Sequence, residues 1–123
     1  METQKFSISK RALSFHYAVT GICRFFKTEH NAWLHMLGTI GVIALTIFFP
    51  VSTAEALALV FAIGFVWTVE LFNTCIEKAM DFISTEKHPQ IQLIKDMAAG
   101  AVLVAACTAL VSGSIIFIPK IFL

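Results

Sequence analysis

The stretch Ala56-Leu57-Ala58-Leu59-Val60-Phe61-Ala62-Ile63-Gly64-Phe65-Val66-Trp67-Thr68-Val69-Glu70-Leu71-Phe72-Asn73-Thr74-Cys75-Ile76-Glu77-Lys78-Ala79-Met80-Asp81 decides the fold. It opens without a charge and closes with acids spaced three and four apart. Glu70, Asn73, Glu77 and Asp81 therefore share one face of a helix. The pattern predicts one continuous helix over about 54–81, which at 1.5 Å per residue is about 42 Å long and outreaches a hydrocarbon core of roughly 30 Å. Its first turns cross a membrane and its last turns emerge. Counted from Glu55, Glu70 lies some 22 Å along, still inside the hydrocarbon near one edge.

Two neighbouring stretches carry the same message. No Asp, Glu, Lys or Arg occurs over 30–54 or 97–119. A span needs about 20 mostly apolar residues, so the sequence predicts transmembrane helices at about 32–49, ended by Pro50, and 97–118, ended by Pro119. Upstream, Ile8, Ala12, Phe15, Val19, Ile22 and Phe26 line one helical face, opposed by Lys10, Ser14, Tyr17, Gly21, Arg24 and Thr28. That stripe predicts an amphipathic helix at about 7–28 lying in the membrane interface. The fold expected is all-α and integral to the membrane, with three transmembrane helices and one interfacial helix in a single domain over 1–123.

Composition agrees. The 123 residues are 58% hydrophobic and 14% charged, with mean hydropathy +0.82. A soluble domain carries about 25% charged residues, so a water-facing surface is excluded. A net charge of +1, without a basic face, excludes a nucleic-acid partner. Cys23, Cys75 and Cys107 are isolated and odd in number, which gives neither a disulfide framework nor a thiolate metal site. Lys5, Lys10, Arg11, Arg24 and Lys27 precede the first span, and Lys78, Lys87 and Lys95 flank the 82–96 loop, whereas the turn over 50–55 holds no basic residue. The positive-inside rule places the N-terminus and that loop in the cytoplasm, with Lys120 the one dissenting charge.

An intramembrane acid costs roughly 2.5–3.5 kcal/mol at mid-span, so Glu70 asks for a use. Glu29 before the first span and Asp96 before the third bring carboxylates from separate segments to a similar depth, with Lys95 beside them. Such a set suits Mg²⁺ shared with phosphate oxygens, and Glu70, the most desolvated, suits a general base. Asp81, Glu86, Lys78 and Lys87 read as ordinary helix-end charges. His16, His30 and His88 read as interfacial or loop residues, and His35 stays open. No soluble-type phosphate loop is present. Three helices form a thin bundle that can hardly enclose a nucleotide and a lipid, which favours sites between subunits. Gly38, Gly41, Gly64, Gly100 and Gly113 would permit close helix approach. Besides an enzyme, the residues alone fit a small transporter or channel subunit with Glu70, Glu77 and Asp96 along an ion path, or a membrane adaptor.

Glu70-Leu71-Phe72-Asn73-Thr74-Cys75-Ile76-Glu77 with Asp81 resembles the E-x-x-N-(S/T)-x-I-E-x-x-x-D signature of the prokaryotic diacylglycerol kinase family. Lys95-Asp96-Met97-Ala98-Ala99-Gly100-Ala101-Val102-Leu103 is similar to the segment that opens that family's last span. Ser14-Phe15-His16-Tyr17-Ala18 with Gly21-Ile22, Glu29-x-Asn31-x-x-x-His35, Glu86-x-His88-Pro89 and Ile118-Pro119-Lys120 resemble the branch that phosphorylates undecaprenol. The resemblance implies a homotrimeric kinase of the bacterial cytoplasmic membrane that transfers the γ-phosphate of MgATP to a lipid alcohol, undecaprenol in the first place and diacylglycerol in the second. Carried over, Glu70 is the catalytic base, and Glu29 and Glu77 hold Mg²⁺. Asn73, Lys95, Asp96, Tyr17 and Arg11 complete the nucleotide site. Cys75 stands where alanine is usual, a packing change. Leu34-His35 replaces the Gln-Glu of the enterobacterial diacylglycerol branch, which favours undecaprenol.

Overall fold

The computed structural model describes residues 5–123. They form four α-helices and no strand: α1 Ile8–Thr28, α2 His30–Phe48, α3 Thr53–Ile83 and α4 Pro89–Phe122. The chain divides into two compact units, the first ending at Trp33 and the second running Leu34–Leu123.

In the first unit, Ser7 caps α1 by accepting the Lys10 amide at 3.4 Å. The helix stops where Glu29 turns to extended backbone, its amide still donating to the Phe25 carbonyl at 3.0 Å. α2 starts at the next residue. The Trp33 indole donates to the Phe26 carbonyl at 3.1 Å and meets the Phe26 ring edge-on. That contact supplies a partner for one of the orphan carbonyls at the end of α1.

The second unit is organised by α3. Ser52 and Glu55 form a reciprocal capping box at its start: the Ser52 hydroxyl accepts the Glu55 amide at 3.1 Å, and the Glu55 carboxylate accepts the Ser52 amide at 2.9 Å. α3 packs against α4, and the ion pairs give their direction. Glu55 near the start of α3 meets Lys120 near the end of α4 at 3.2 Å, while Asp81 near the end of α3 meets Lys95 near the start of α4 at 2.6 Å. The two helices are antiparallel. Between these ends, Leu59, Ile116 and Phe117 form a buried cluster, with Val42, Leu45, Phe49 and Val51 against it.

α2, α3 and α4 are each long and apolar enough to cross a membrane. Much of their apolar surface remains uncovered: Phe61, Phe72, Leu103, Val104, Leu110 and Ile115 are all exposed. An apolar surface of that extent is a lipid or subunit surface, not a watery one.

α4 departs from the segment expected at 97–118 at both ends. It begins at Pro89 because the His88 ring nitrogen Nδ1 accepts the Gln90 amide at 3.1 Å and proline, which needs no N–H partner, fits the first turn. The residues of 89–96 are polar but helical, so a charge-based boundary falls too late. At the other end, helix continues through Pro119 to Phe122. Proline removes only its own donor, and its carbonyl still accepts the Leu123 amide at 3.0 Å.

The glycines have room around them within the single chain. A Cβ at Gly38, Gly41, Gly64, Gly100 or Gly113 would meet nothing within 4 Å. Within one chain these glycines do not mediate close helix approach.

Candidate active site in the second unit

Glu70 is the most deeply buried large side chain of the described residues, 2% exposed. Asn73 and Thr74 follow on the same face at steps of three and four, and both are buried. The Asn73 amide nitrogen donates to Glu77 Oε1 at 3.3 Å, fixing Glu77 one turn below. Two oxygens of this group are buried without a hydrogen-bond partner, Glu70 Oε2 and Asn73 Oδ1. Buried polar atoms left unsatisfied cost about 1–3 kcal/mol each and are rare in native structures.

From α2, His35 Nε2 approaches Glu70 Oε1 at 3.6 Å. The His35 ring lies edge-on to Trp67, whose indole donates to Thr39 Oγ1 at 2.9 Å, and Thr39 in turn donates to the His35 carbonyl at 2.8 Å. Sequence reasoning left His35 open and passed over Trp67 and Thr39. The signal lay in the spacing: Trp67 precedes Glu70 by three residues, and Thr39 follows His35 by four. His35, Thr39 and Trp67 also line an apolar cavity of about 450 Å³ among α2, α3 and α4, with Val42, Ala106 and Phe117 among its other walls.

The remaining residues singled out from the sequence sit as follows. Lys95 pairs with Asp81 at 2.6 Å, so Asp81, first read as an ordinary helix-end charge, is the acid that fixes the lysine. Asp96 is exposed and accepts from the Gln92 side chain at 2.8 Å. In the first unit, Glu29 is the C-cap of α1 and partly buried, Tyr17 is 63% exposed, and the Arg11 guanidinium stands 5.4 Å from the centre of the Phe6 ring. Among the described residues, no three His, Cys, Asp or Glu side chains gather as an all-protein metal cage. The donors present are hard oxygens in small number. That set fits a cation such as Mg²⁺, which is commonly held by one or two carboxylates together with substrate phosphates.

The sequence profile of the prokaryotic diacylglycerol kinases matches residues 16–117. The chain belongs to the prokaryotic diacylglycerol kinase family. It is 35% identical over 108 residues to the undecaprenol kinase of Bacillus subtilis, covering 88% of each chain. It is 30% identical over 110 residues to the diacylglycerol kinase of Synechocystis, covering 89% of this chain and 63% of that protein. A diacylglycerol kinase of Helicobacter pylori is 56% identical over a shorter segment of 36 residues. These relatives are lipid kinases, and the three apolar helices make this family member a multi-pass membrane protein.

Proposed function

We propose that the protein is an ATP-dependent undecaprenol kinase, acting at the cytoplasmic face of a bacterial inner membrane. The observation that carries this reading is the buried, unpartnered oxygen of Glu70, whose carboxylate meets His35, a residue that also lines an apolar cavity. An alcohol carrying a hydrocarbon tail matches both features: the tail takes the apolar walls and the hydroxyl meets the carboxylate. The similarity to an undecaprenol kinase over most of both chains favours undecaprenol as that alcohol.

In this reading Glu70 Oε2 takes the proton of the lipid hydroxyl as its oxygen bonds to the γ-phosphorus, and the bond from that phosphorus to the bridging oxygen breaks to leave ADP. Phosphoryl transfer of this kind depends mainly on positioning and charge neutralisation. Bound Mg²⁺ would supply the charge neutralisation; Glu77 would hold it, and Glu29 is carried over as a second ligand from the family resemblance alone. Asn73 orients Glu77, to which it is already bonded. Lys95, Asp96, Tyr17 and Arg11 serve the nucleotide. The exposed residues Ile8, Phe15, Val19 and Ile22 of α1 suit a helix resting in the interface, beside a cytoplasmic N-terminus. A homotrimer, implied by the family resemblance, would cover apolar helix surface that one chain leaves open.

The test is transfer of labelled phosphate from ATP to each alcohol in mixed micelles of the purified protein. Undecaprenol should be phosphorylated faster than diacylglycerol. Equal or faster turnover of diacylglycerol would reassign the acceptor, and no transfer to either would end the kinase reading.

A further inference from the structure

His35 is left without a task by the mechanism above, yet it is the side chain that reaches Glu70 from another helix. Resting on the lipid-kinase reading, we propose that His35 is a positioning residue for Glu70: its imidazole engages Oε1 and thereby reserves Oε2 for the proton of the acceptor hydroxyl. The two carboxylate oxygens differ in the way this requires. Oε1 has the His35 nitrogen at 3.6 Å, whereas Oε2 is buried with no partner. A carboxylate free to rotate about its last bond would present either oxygen to the acceptor. One held by a ring on one side presents the other.

The ring is itself held. Trp67 lies against it at 6.1 Å between centroids and is tied by its indole N–H to Thr39, one turn along α2 from His35. Thr39 anchors to the His35 carbonyl. Trp67 from α3 thus packs against the imidazole, and Thr39 from α2 ties Trp67 to the backbone of His35. At 3.6 Å the contact is longer than a hydrogen bond. Catalytic contacts in ligand-free structures are often long and tighten when substrate binds. Glu70 on α3 is the ionisable group facing the ring within the second unit. The α4 residues sharing the cavity with it, Ala106, Ala109, Leu110, Gly113 and Ser114 among them, carry none.

The experiment measures kcat and the KM for MgATP for the full-length wild type, His35→Ala, His35→Gln and Thr39→Val. His35→Ala should lose roughly tenfold or more in kcat, because a misplaced reacting group is costly even when chemically intact, while the KM for MgATP stays within about twofold. His35→Gln, which retains an N–H donor, should recover part of kcat. Thr39→Val, which removes the anchor and not the ring, should lower kcat by about threefold or more and serves as the test if His35→Ala does not fold. An active wild type with kcat unchanged in the folded variants would overturn the positioning role alone. A wild type that phosphorylates no lipid alcohol would overturn the kinase reading and this inference together.

Discussion

The helix α3 carries a carboxylate at its first turn and another deep in its length, and the two live in opposite circumstances. Glu55 is saturated: its carboxylate accepts the Ser52 amide and meets Lys120, and its own amide donates to the Ser52 hydroxyl. Glu70 is buried with one oxygen unsatisfied, and Asn73 beside it has another. A polar group that finds its partners inside the chain is explained by folding. One that is buried without them raises the free energy of the folded protein and asks for another explanation. The same residue type is fully partnered at the start of α3 and incompletely partnered in its interior, and what differs is the accounting of partners.

The largest effect expected from breaking this contrast is at the unsatisfied end. Glu70→Gln preserves volume and removes the base, so lipid phosphorylation should fall by about 10²–10⁴-fold. Unchanged helical circular dichroism would accompany that loss in a catalytic role, and near-normal turnover would remove Glu70 from the chemistry. Next in size, Glu77→Gln should raise the Mg²⁺ concentration for half-maximal rate by about tenfold or more, as loss of one metal carboxylate does. Lipid affinity should change little. A superimposable Mg²⁺ titration would leave Glu77 with no metal role. At the saturated end the effect should be smallest and of another kind. Ser52→Ala removes the cap and should cost about 1 kcal/mol of stability, read as a lower Tm in detergent with kcat unchanged. A loss of turnover larger than the loss of stability would dissolve the distinction between the ends.

Much of this was legible along the chain. The charge-free runs announced three apolar helices, and the spacing of Glu70, Asn73 and Glu77 put them on one face because a helix repeats every 3.6 residues. Capping chemistry was only partly read. The polar residues 89–96 concealed the start of α4, since charge tells where hydrocarbon ends and says nothing about where a helix does. Lys120 read as a misplaced charge, and its pairing with Glu55 across sixty-five positions in sequence is a long-range contact that no local pattern contains. Lys95 was recognised as important, but its partner Asp81 was set aside for the same reason.

The sequence by itself determined that this protein is helical, apolar and a member of a lipid kinase family, because hydropathy, periodicity and a contiguous signature are properties of neighbours along the chain. Only the tertiary structure decided which acids are satisfied and which are not. It joined His35 to Glu70 and Trp67 to Thr39, and it left Glu70 Oε2 buried and alone. Whether a polar atom has a partner depends on what a different helix brings to it, and that is settled by packing.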